Sequence, residues 1–378
     1  MTATAETTLD LPFDAVTPLM GVEEEYLLVD PATRAVAPRA RAVVERAAAE
    51  LGDRVGAEIT RFQVEAKTAP CAGVAELGGQ LAGMRRAVAA AARAEGLAVI
   101  ASGTPVLPGA VPPPITEGAR YDQGIAAYRA LHDEQSICAG HVHVHLPDRE
   151  LAVLVCNHLR PWLPALIALM ANSPFWEGRD TGYAAWRVLA WGKWPVAGPP
   201  PYCASAAEHD RLVAALTASE AVVDPGTLFW DARPSARLPT VEVRVGDVPA
   251  STAEATLLAL LVRALVTVCA KRARDGDPGP RPAEPLLRVA YWRSARDGLE
   301  GHAVDPFTGV PRPATELVAE LLELVRPALA ASGDLEAVQE LWRRLRASGS
   351  GAARQRAAFA RRGLLTDVVD DLIGRFTR

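Results

Sequence analysis

The sequence predicts an α+β fold organised around an antiparallel sheet, and three observations carry that expectation. Alternating polar and apolar residues recur at 21–30, 57–67, 137–146 and 241–245, the period-two pattern of strands with one buried face. Helical stretches fall between them without the βαβ rhythm of a doubly wound sheet. Beyond residue 284 nearly the whole chain has helical spacing. With 378 residues, 49% of them hydrophobic, the chain can bury a sizeable core, in one large domain or two ordinary ones.

Residues 1–18 lack the basic start and apolar run of a signal peptide and read as a flexible lead-in. The first strand, Gly21 to Asp30, carries three consecutive carboxylates. Strand side chains alternate between faces, so Glu23 and Glu25 share one face and Glu24 takes the other. Two carboxylates on one face repel each other, and burying them unpaired is costly or shifts their pKa values. Either that face is wet, or a cation with a preference for oxygen ligands sits there. A helix follows over 39–51, then a strand over 57–67 with Gln63, Glu65 and Lys67 on a common face. Leu77 to Ala94 reads as a helix stopped at Gly96, Leu97 to Ala101 as a short buried strand, and Pro105 to Pro114 as an irregular loop. A helix over 121–135 and a strand over 137–146 come next. Leu151 to Met170 is helical, bent or divided by Pro161 and Pro164.

Residues 172–205 hold Trp176, Trp186, Trp191 and Trp194 among many Gly and Pro, the kind of loop on which binding surfaces form. Strands at 228–232 and 241–245 lead into a long helix from Thr252 to Arg274. The segment 276–282, rich in Gly and Pro, is the best linker candidate. Residues 19–275 therefore read as an α+β core, and 284–378 as a helical region packed on it within the same domain.

A net charge of −5 supplies no general drive toward nucleic acid or anionic membrane. Five scattered cysteines without a CxxC pair argue against a disulfide framework or a structural zinc knot, and fit a reducing cytoplasm. The longest apolar run, Leu257 to Ala270, is broken by Arg263 and is too short to span a bilayer. The expectation is a soluble cytoplasmic protein without nucleic-acid or membrane partners, and a homo-oligomer is compatible with it.

Three further strands carry chemistry where a core strand would carry Leu or Val. Gly140 to His145 places His141, His143 and His145 on one face and valines on the other, in a wet groove or as at least one metal ligand. In Thr240 to Val245, Glu242 and Arg244 share a face, as an ordinary ion pair or as a metal ligand beside a phosphate-binding cation. Arg61 to Glu65 is another alternating polar strand. Neither a P-loop nor a dinucleotide-binding glycine turn is present, so neither would hold a nucleotide. A sheet face with many carboxylates and a few cations suits several Mg²⁺ ions and ATP phosphates.

These strands lie within longer segments that resemble the bacterial glutamate–cysteine ligase type 2 family of carboxylate–amine ligases. The resemblance is carried by GVEEEYLLVD (21–30), QVEAKTAPC (63–71), GHVHV (140–144), the block from Leu159 to Arg187, WGKWP (191–195), PTVEVRVGDV (239–248) and AARQRAAFARRG (352–363). It implies a glutamine-synthetase-like fold, with an antiparallel sheet forming an active-site funnel surrounded by helices. It also implies ATP and Mg²⁺, for which Mn²⁺ can substitute, and transfer of glutamate onto an amine acceptor, cysteine or another, through a γ-glutamyl phosphate. By motif matching Glu23, Glu25, Glu65, His141 and Glu242 are metal ligands, with Glu58 a further candidate. Arg244 contacts the nucleotide phosphate and, with Glu65, is catalytic. Substrate binding falls to His143, Gln63, Arg179 and Arg187, the two arginines alternatively bracing their loop through carbonyls.

Four positions depart from the family pattern: Lys67, Ala69, His145 and Gly246. They are compatible with an altered acceptor or with neutral drift. Two rival readings are a metal-dependent amide hydrolase built on the His-x-His-x-His strand, and a nucleotide-binding relative without catalysis.

Overall fold

The computed structural model describes residues 17–134 and 136–378, so the expectation for the lead-in lies almost wholly outside the described residues. In chain order the elements begin with β1 (Met20–Val29), α1 (Ala40–Leu51), β2 (Val55–Ala57), β3 (Gln63–Lys67), α2 (Val74–Ala94), β4 (Ala98–Ile100) and α3 (Ala119–Tyr128). Next come β5 (Gly140–His145), α4 (Arg149–Leu159), α5 (Leu163–Leu169), the hairpin β6 (Phe175–Trp176) and β7 (Arg179–Asp180), α6 (Trp186–Trp191) and α7 (Ala206–Ala218). The strands β8 (Ala232–Pro234) and β9 (Thr240–Val243) precede α8 (Thr252–Arg274) and α9 (Glu284–Asp297). A hairpin of β10 (His302–Val304) and β11 (Pro311–Pro313) leads to α10 (Ala314–Ser332), α11 (Leu335–Ser348), α12 (Gly351–Ala360) and α13 (Leu365–Arg375).

Seven strands form one sheet in the order β2-β3-β1-β5-β9-β8, with β4 on the far end of β1. Every pairing in it is antiparallel. The period-two alternation sorts the residues as expected. Val22, Val64, Val142, Val144, Val241 and Val243 face backward and are buried. Behind them α8 lies against β1 and β5. Ser251 caps α8 by accepting from Glu254 N at 3.3 Å. Glu254 in its first turn, and Lys271, Arg272 and Arg274 in its last, complement the helix dipole. Helices α4–α5 and α8 are long and apolar enough to cross a bilayer, beyond what the interrupted run Leu257 to Ala270 predicts, yet 89% and 78% of their most apolar windows are buried inside the fold. They are core helices.

One charged residue sits on the back face. Glu24 is fully buried and meets Arg85 of α2, whose Nε donates to Glu24 Oε2 at 3.1 Å. Tyr26 Oη donates to the same oxygen at 2.7 Å, and Arg85 also donates to Pro249 O at 2.8 Å. The guanidinium lies 5.5 Å from the ring of Phe376, so the pair joins the first strand to the C-terminus. Buried charges persist only when their hydrogen-bonding capacity is met, and here it is.

Where the elements differ from expectation, the reasons are local. The strand expected over 57–67 is two strands, because the Thr60–Phe62 turn reverses the chain between β2 and β3. The helix expected over 121–135 is α3 followed by a 3₁₀ segment, Arg129–Glu134. A 3₁₀ turn at Arg160–Trp162 divides α4 from α5 at the expected prolines. The strand expected at 228–232 starts late, at Ala232. The segment 276–282 is no loose tether. Pro278 O accepts from Asn157 Nδ2 at 3.1 Å and from Tyr202 Oη at 3.1 Å, and Asp277 O lies 3.0 Å from His158 Nε2. The C-terminal helices share one hydrophobic cluster with the sheet, running from Met20 to Phe376.

Removing one partner of the Glu24–Arg85 pair leaves an uncompensated buried charge. We expect Arg85→Leu to lose about 3–5 kcal/mol of stability, and Glu24→Leu combined with Arg85→Leu to recover most of it, read from urea unfolding midpoints.

Candidate active site

The front of the sheet opens into a cavity of about 420 Å³. Registry decides what meets there. Glu25 lies opposite Glu65, Glu23 opposite both Lys67 and His141, His143 opposite Glu242, and Glu242 opposite Arg233. Each of these positions points forward because its strand neighbours are buried behind the sheet, apolar ones in the core and Glu24 in its pair with Arg85. Five carboxylates thus reach one space, four from the sheet and Glu58 from the turn after β2.

Two groupings emerge, sharing Glu65. Ligand atoms of Glu23, Glu65 and His141 lie within 4.8 Å of one another, as do those of Glu25, Glu58 and Glu65. That spacing suits a divalent cation in each, and mostly oxygen donors suit a hard ion such as Mg²⁺. His141 Nδ1 is 3.3 Å from Glu23 Oε2, whereas His141 Nε2 is buried with no hydrogen-bond partner among the described residues. His143 Nδ1 is 3.0 Å from Thr240 Oγ1, and its Nε2 lies 3.6 Å from Glu23 Oε1. Lys67 Nζ is 3.5 Å from Glu65 Oε2.

Charge crowding shifts the titrations. Burial, then the nearby Glu23 and Glu25 against the opposing pull of Lys67, pushes the Glu65 carboxyl up to about 7. Burial, Glu65 and Glu25 together push Glu58 well above the usual carboxylate range. Burial would raise Glu23 too, but hydrogen bonds with His141 and His143 hold it well below that range. Burial also opposes ionisation of Glu242, yet Arg244 and Arg233 hold it at about 2. Arg233 Nε donates to Glu242 Oε2 at 2.8 Å and Arg244 Nη1 to Glu242 Oε1 at 3.1 Å. Arg244 Nε is buried without a hydrogen-bond partner among the described residues. The face is thus split, with crowded carboxylates at one end and a carboxylate clamped between two guanidiniums at the other.

The Trp-bearing loop is fixed to the sheet by a buried carboxylate. Asp247, its carboxyl pushed up to about 6 by burial, accepts from Asn172 N and Ser173 Oγ, each at 2.7 Å. Ser173 Oγ in turn accepts from Arg187 N at 3.0 Å. Gly103 is required beside it, since a Cβ there would lie 2.6 Å from Asp247 Cγ. Gly246 is similarly confined, for a Cβ there would come 3.2 Å from Met170 Cβ.

The structure brings Glu23, Glu25, Glu58, Glu65, His141, His143, Glu242, Arg244, Gln63 and Arg187 to the cavity wall. Three of the substrate-binding candidates sit in settings that the sequence did not indicate. Arg179 is exposed on β7 and absent from that wall, because the two-residue hairpin turns it outward, 5.8 Å from the ring of Trp186. Gln63 is spent on the fold, its Oε1 accepting from Thr60 Oγ1 at 2.5 Å and its Nε2 donating to Ile137 O at 2.7 Å. Arg187 donates to Val245 O and Arg244 O, each at 3.2 Å, which is the bracing role through carbonyls. His145, opposite Thr240 at the strand end, does not line the cavity, so the strand assembles no three-histidine centre. Sequence reasoning missed Arg233, because the expected strand stopped one residue short of it. It also missed the wall of Tyr128, Trp191, Trp194 and Phe229 in the same cavity. The only signal was the density of tryptophans in the loop.

Comparison with known proteins gives a consistent result. The profile of the family described as Glutamate-cysteine ligase family 2 (GCS2) matches residues 19–371. A protein of Saccharopolyspora erythraea, named "Putative glutamate–cysteine ligase 2-1", is 47% identical over 356 residues, 94% of this chain and 93% of the relative. The crystal structure of a glutamate–cysteine ligase from Francisella tularensis in complex with AMP superposes with a TM-score of 0.64 at 13% identity, covering 96% of this chain and 89% of that one. A bifunctional glutathione synthetase from Pasteurella multocida gives 0.66 at 14% identity, over 97% of this chain and 52% of its own. The fold is the glutamine-synthetase-like α+β fold of these ligases.

The carboxylate crowding has a consequence for stability. Glu65 has a folded pKa of about 7 against an ordinary 4.5, and Glu58 is raised as well. The contribution of Glu65 is therefore fully present below about pH 4.5 and lost as pH rises through about 7. In EDTA we expect the Tm to fall between pH 5 and 8, Glu65→Gln to flatten that fall, and added Mg²⁺ to raise the Tm more at pH 8 than at pH 5. Thermal melts across pH check all three.

Proposed function

The chain belongs to glutamate–cysteine ligase family 2, and from that premise we propose an ATP- and Mg²⁺-dependent ligase that joins the γ-carboxyl of glutamate to an amine. The observation that carries this reading is the split sheet face: two carboxylate groupings sharing Glu65 at one end, and Arg244 with a spare donor at the other. A metal-dependent hydrolase would need one closed-in ion with an open water position and has no use for the Arg233–Glu242–Arg244 clamp.

Glu23, Glu65 and His141 would hold one Mg²⁺, and Glu25, Glu58 and Glu65 a second. Bound there, Mg²⁺ neutralises phosphate charge and polarises the phosphorus toward attack. Glu65 bridges the two groupings, so its ionisation sets the charge of both. Glu242 keeps Arg244 and Arg233 in place by accepting from each, and the free edge of Arg244 is left for a phosphoryl oxygen. In the first step a γ-carboxylate oxygen of glutamate bonds to the γ-phosphorus of ATP, and ADP leaves with the electrons of the broken P–O bond. In the second the amine nitrogen bonds to the acyl carbon, phosphate leaves with the C–O electrons, and the surplus proton passes to water. Phosphorylation turns a poor leaving oxygen into a good one.

Incubating protein, ATP, Mg²⁺, glutamate and a panel of amines should release ADP and phosphate in step with amide. AMP and pyrophosphate instead would reject the acyl-phosphate route, and nucleotide binding without turnover would identify a non-catalytic relative. Glu65→Gln is expected to abolish turnover without unfolding the protein. Arg244→Lys should lower kcat by about a hundredfold with a smaller change in the KM for glutamate, because the planar guanidinium edge is lost.

A further inference from the structure

One wall of the cavity is aromatic. Tyr128 and Trp194 lie 4.2 Å apart, and Trp191 and Trp194 each lie 4.8 Å from Phe229, centroid to centroid. All four line the cavity, and they belong to a hydrophobic cluster separate from the main core. Packing alone accounts for most of their contacts but not for two polar atoms within it. Trp194 Nε1 and His132 Nδ1 are buried without a hydrogen-bond partner among the described residues, on side chains 4% and 3% exposed that both line the cavity. Beside them Trp191 Nε1 donates to Phe229 O at 3.1 Å and Tyr128 Oη to Ala221 O at 3.2 Å. A buried polar group left unpaired is costly, and a ligand atom reaching either nitrogen would relieve that cost.

The wall is continuous with the charged end, because the Arg244 guanidinium lies 5.2 Å from the Trp191 ring. An amine attacking an acyl carbon near Arg244 would therefore lay its own body along these rings. We propose that the acceptor is a primary amine with a flat apolar body, larger than the side chain of cysteine, and a hydrogen-bonding atom at its far end. This rests on the ligase reading above. The thiomethyl group of cysteine would leave most of the aromatic surface wet and both ring nitrogens unpaired. An arylalkylamine covers the surface, and a hydroxyl at its tip reaches a donor or an acceptor.

The test uses the wild-type enzyme with ATP, Mg²⁺ and glutamate, comparing hydroxylamine, cysteine, phenethylamine and tyramine as acceptors by mass spectrometry. Hydroxylamine needs no acceptor pocket, so γ-glutamyl hydroxamate reports the acyl phosphate by itself. Without hydroxamate or any amide, the ligase reading and this inference both fall. With hydroxamate formed, we expect kcat/KM for tyramine to exceed that for cysteine at least tenfold, with phenethylamine between them. Cysteine turning over better than either arylalkylamine would overturn this inference and leave the ligase reading standing. Trp194→Ala should raise the KM for tyramine at least tenfold and the KM for ATP less than twofold. Trp194→Phe, which keeps a ring and loses the N–H, should narrow the gap between tyramine and phenethylamine. If Trp194→Ala instead raised the KM for ATP and spared the amine, the wall would hold the nucleotide base and the inference would be wrong.

Discussion

Everything on the front of this sheet answers to one electrostatic constraint: carboxylates held closer together than unscreened negative charges tolerate. Glu23, Glu25, Glu58 and Glu65 share one low-dielectric space, and the direct result is a Glu65 carboxyl pushed up to about 7. Folding into such an arrangement is unfavourable, so the energy to hold it must come from elsewhere. It comes from the back of the same strands, where alternate residues are buried valines against α8. A one-residue slip of β1 would expose Val22 and bury Glu23 among apolar side chains, so the repulsive register is also the only one that keeps the core.

The same constraint sorts the cations. Among the described residues, the only ammonium near the crowded carboxylates is Lys67, 3.5 Å from Glu65 and 40% exposed, a partner screened by water and of modest weight. At the other end Arg233 and Arg244 are both engaged by Glu242 in a buried site. Guanidiniums in fixed planar contacts lose little freedom when a phosphate arrives, whereas a lone lysine must be ordered. Arg187 carries this rigidity outward by pinning the carbonyls of Arg244 and Val245, and Asp247 pins the loop from which Arg187 comes. These two bonds tie the backbone that carries Arg244 to the Trp-bearing loop.

Much of this was legible in the chain because strand alternation is a local code. Glu23, Glu25, Glu65, His141 and Glu242 were assigned to faces by parity alone, and the sheet places them on those faces. What parity cannot give is which residues are already satisfied. Gln63 shares its face with Glu65, yet its amide is consumed by Thr60 and Ile137, partners set by a turn and by the segment before β5, 74 positions away. The direction of Arg179 was illegible for a similar reason, since a two-residue hairpin decides it and no periodicity records it. Arg233 lies beyond the end of its expected strand, where Pro234 weakens the pattern. The aromatic wall was invisible for a different reason, because it is assembled from α3, α6 and two loops that converge only in three dimensions.

The two walls of the cavity also bear on each other. An acyl phosphate is destroyed by water, so a site that makes one benefits from excluding water at the acyl carbon while keeping the phosphates charged and coordinated. The charged face cannot do the excluding, because every carboxylate on it attracts water. The rings can, and that of Trp191 lies 5.2 Å from the Arg244 guanidinium. On the acyl-phosphate reading, this aromatic wall would serve the first half-reaction as a water barrier, whatever amine arrives for the second. If an amine with a flat apolar body completes that barrier on binding, acceptor recognition and protection of the intermediate become one event. A small hydrophilic acceptor would leave the barrier incomplete. Selectivity for the acceptor would then follow from hydrolysis of the intermediate as much as from affinity.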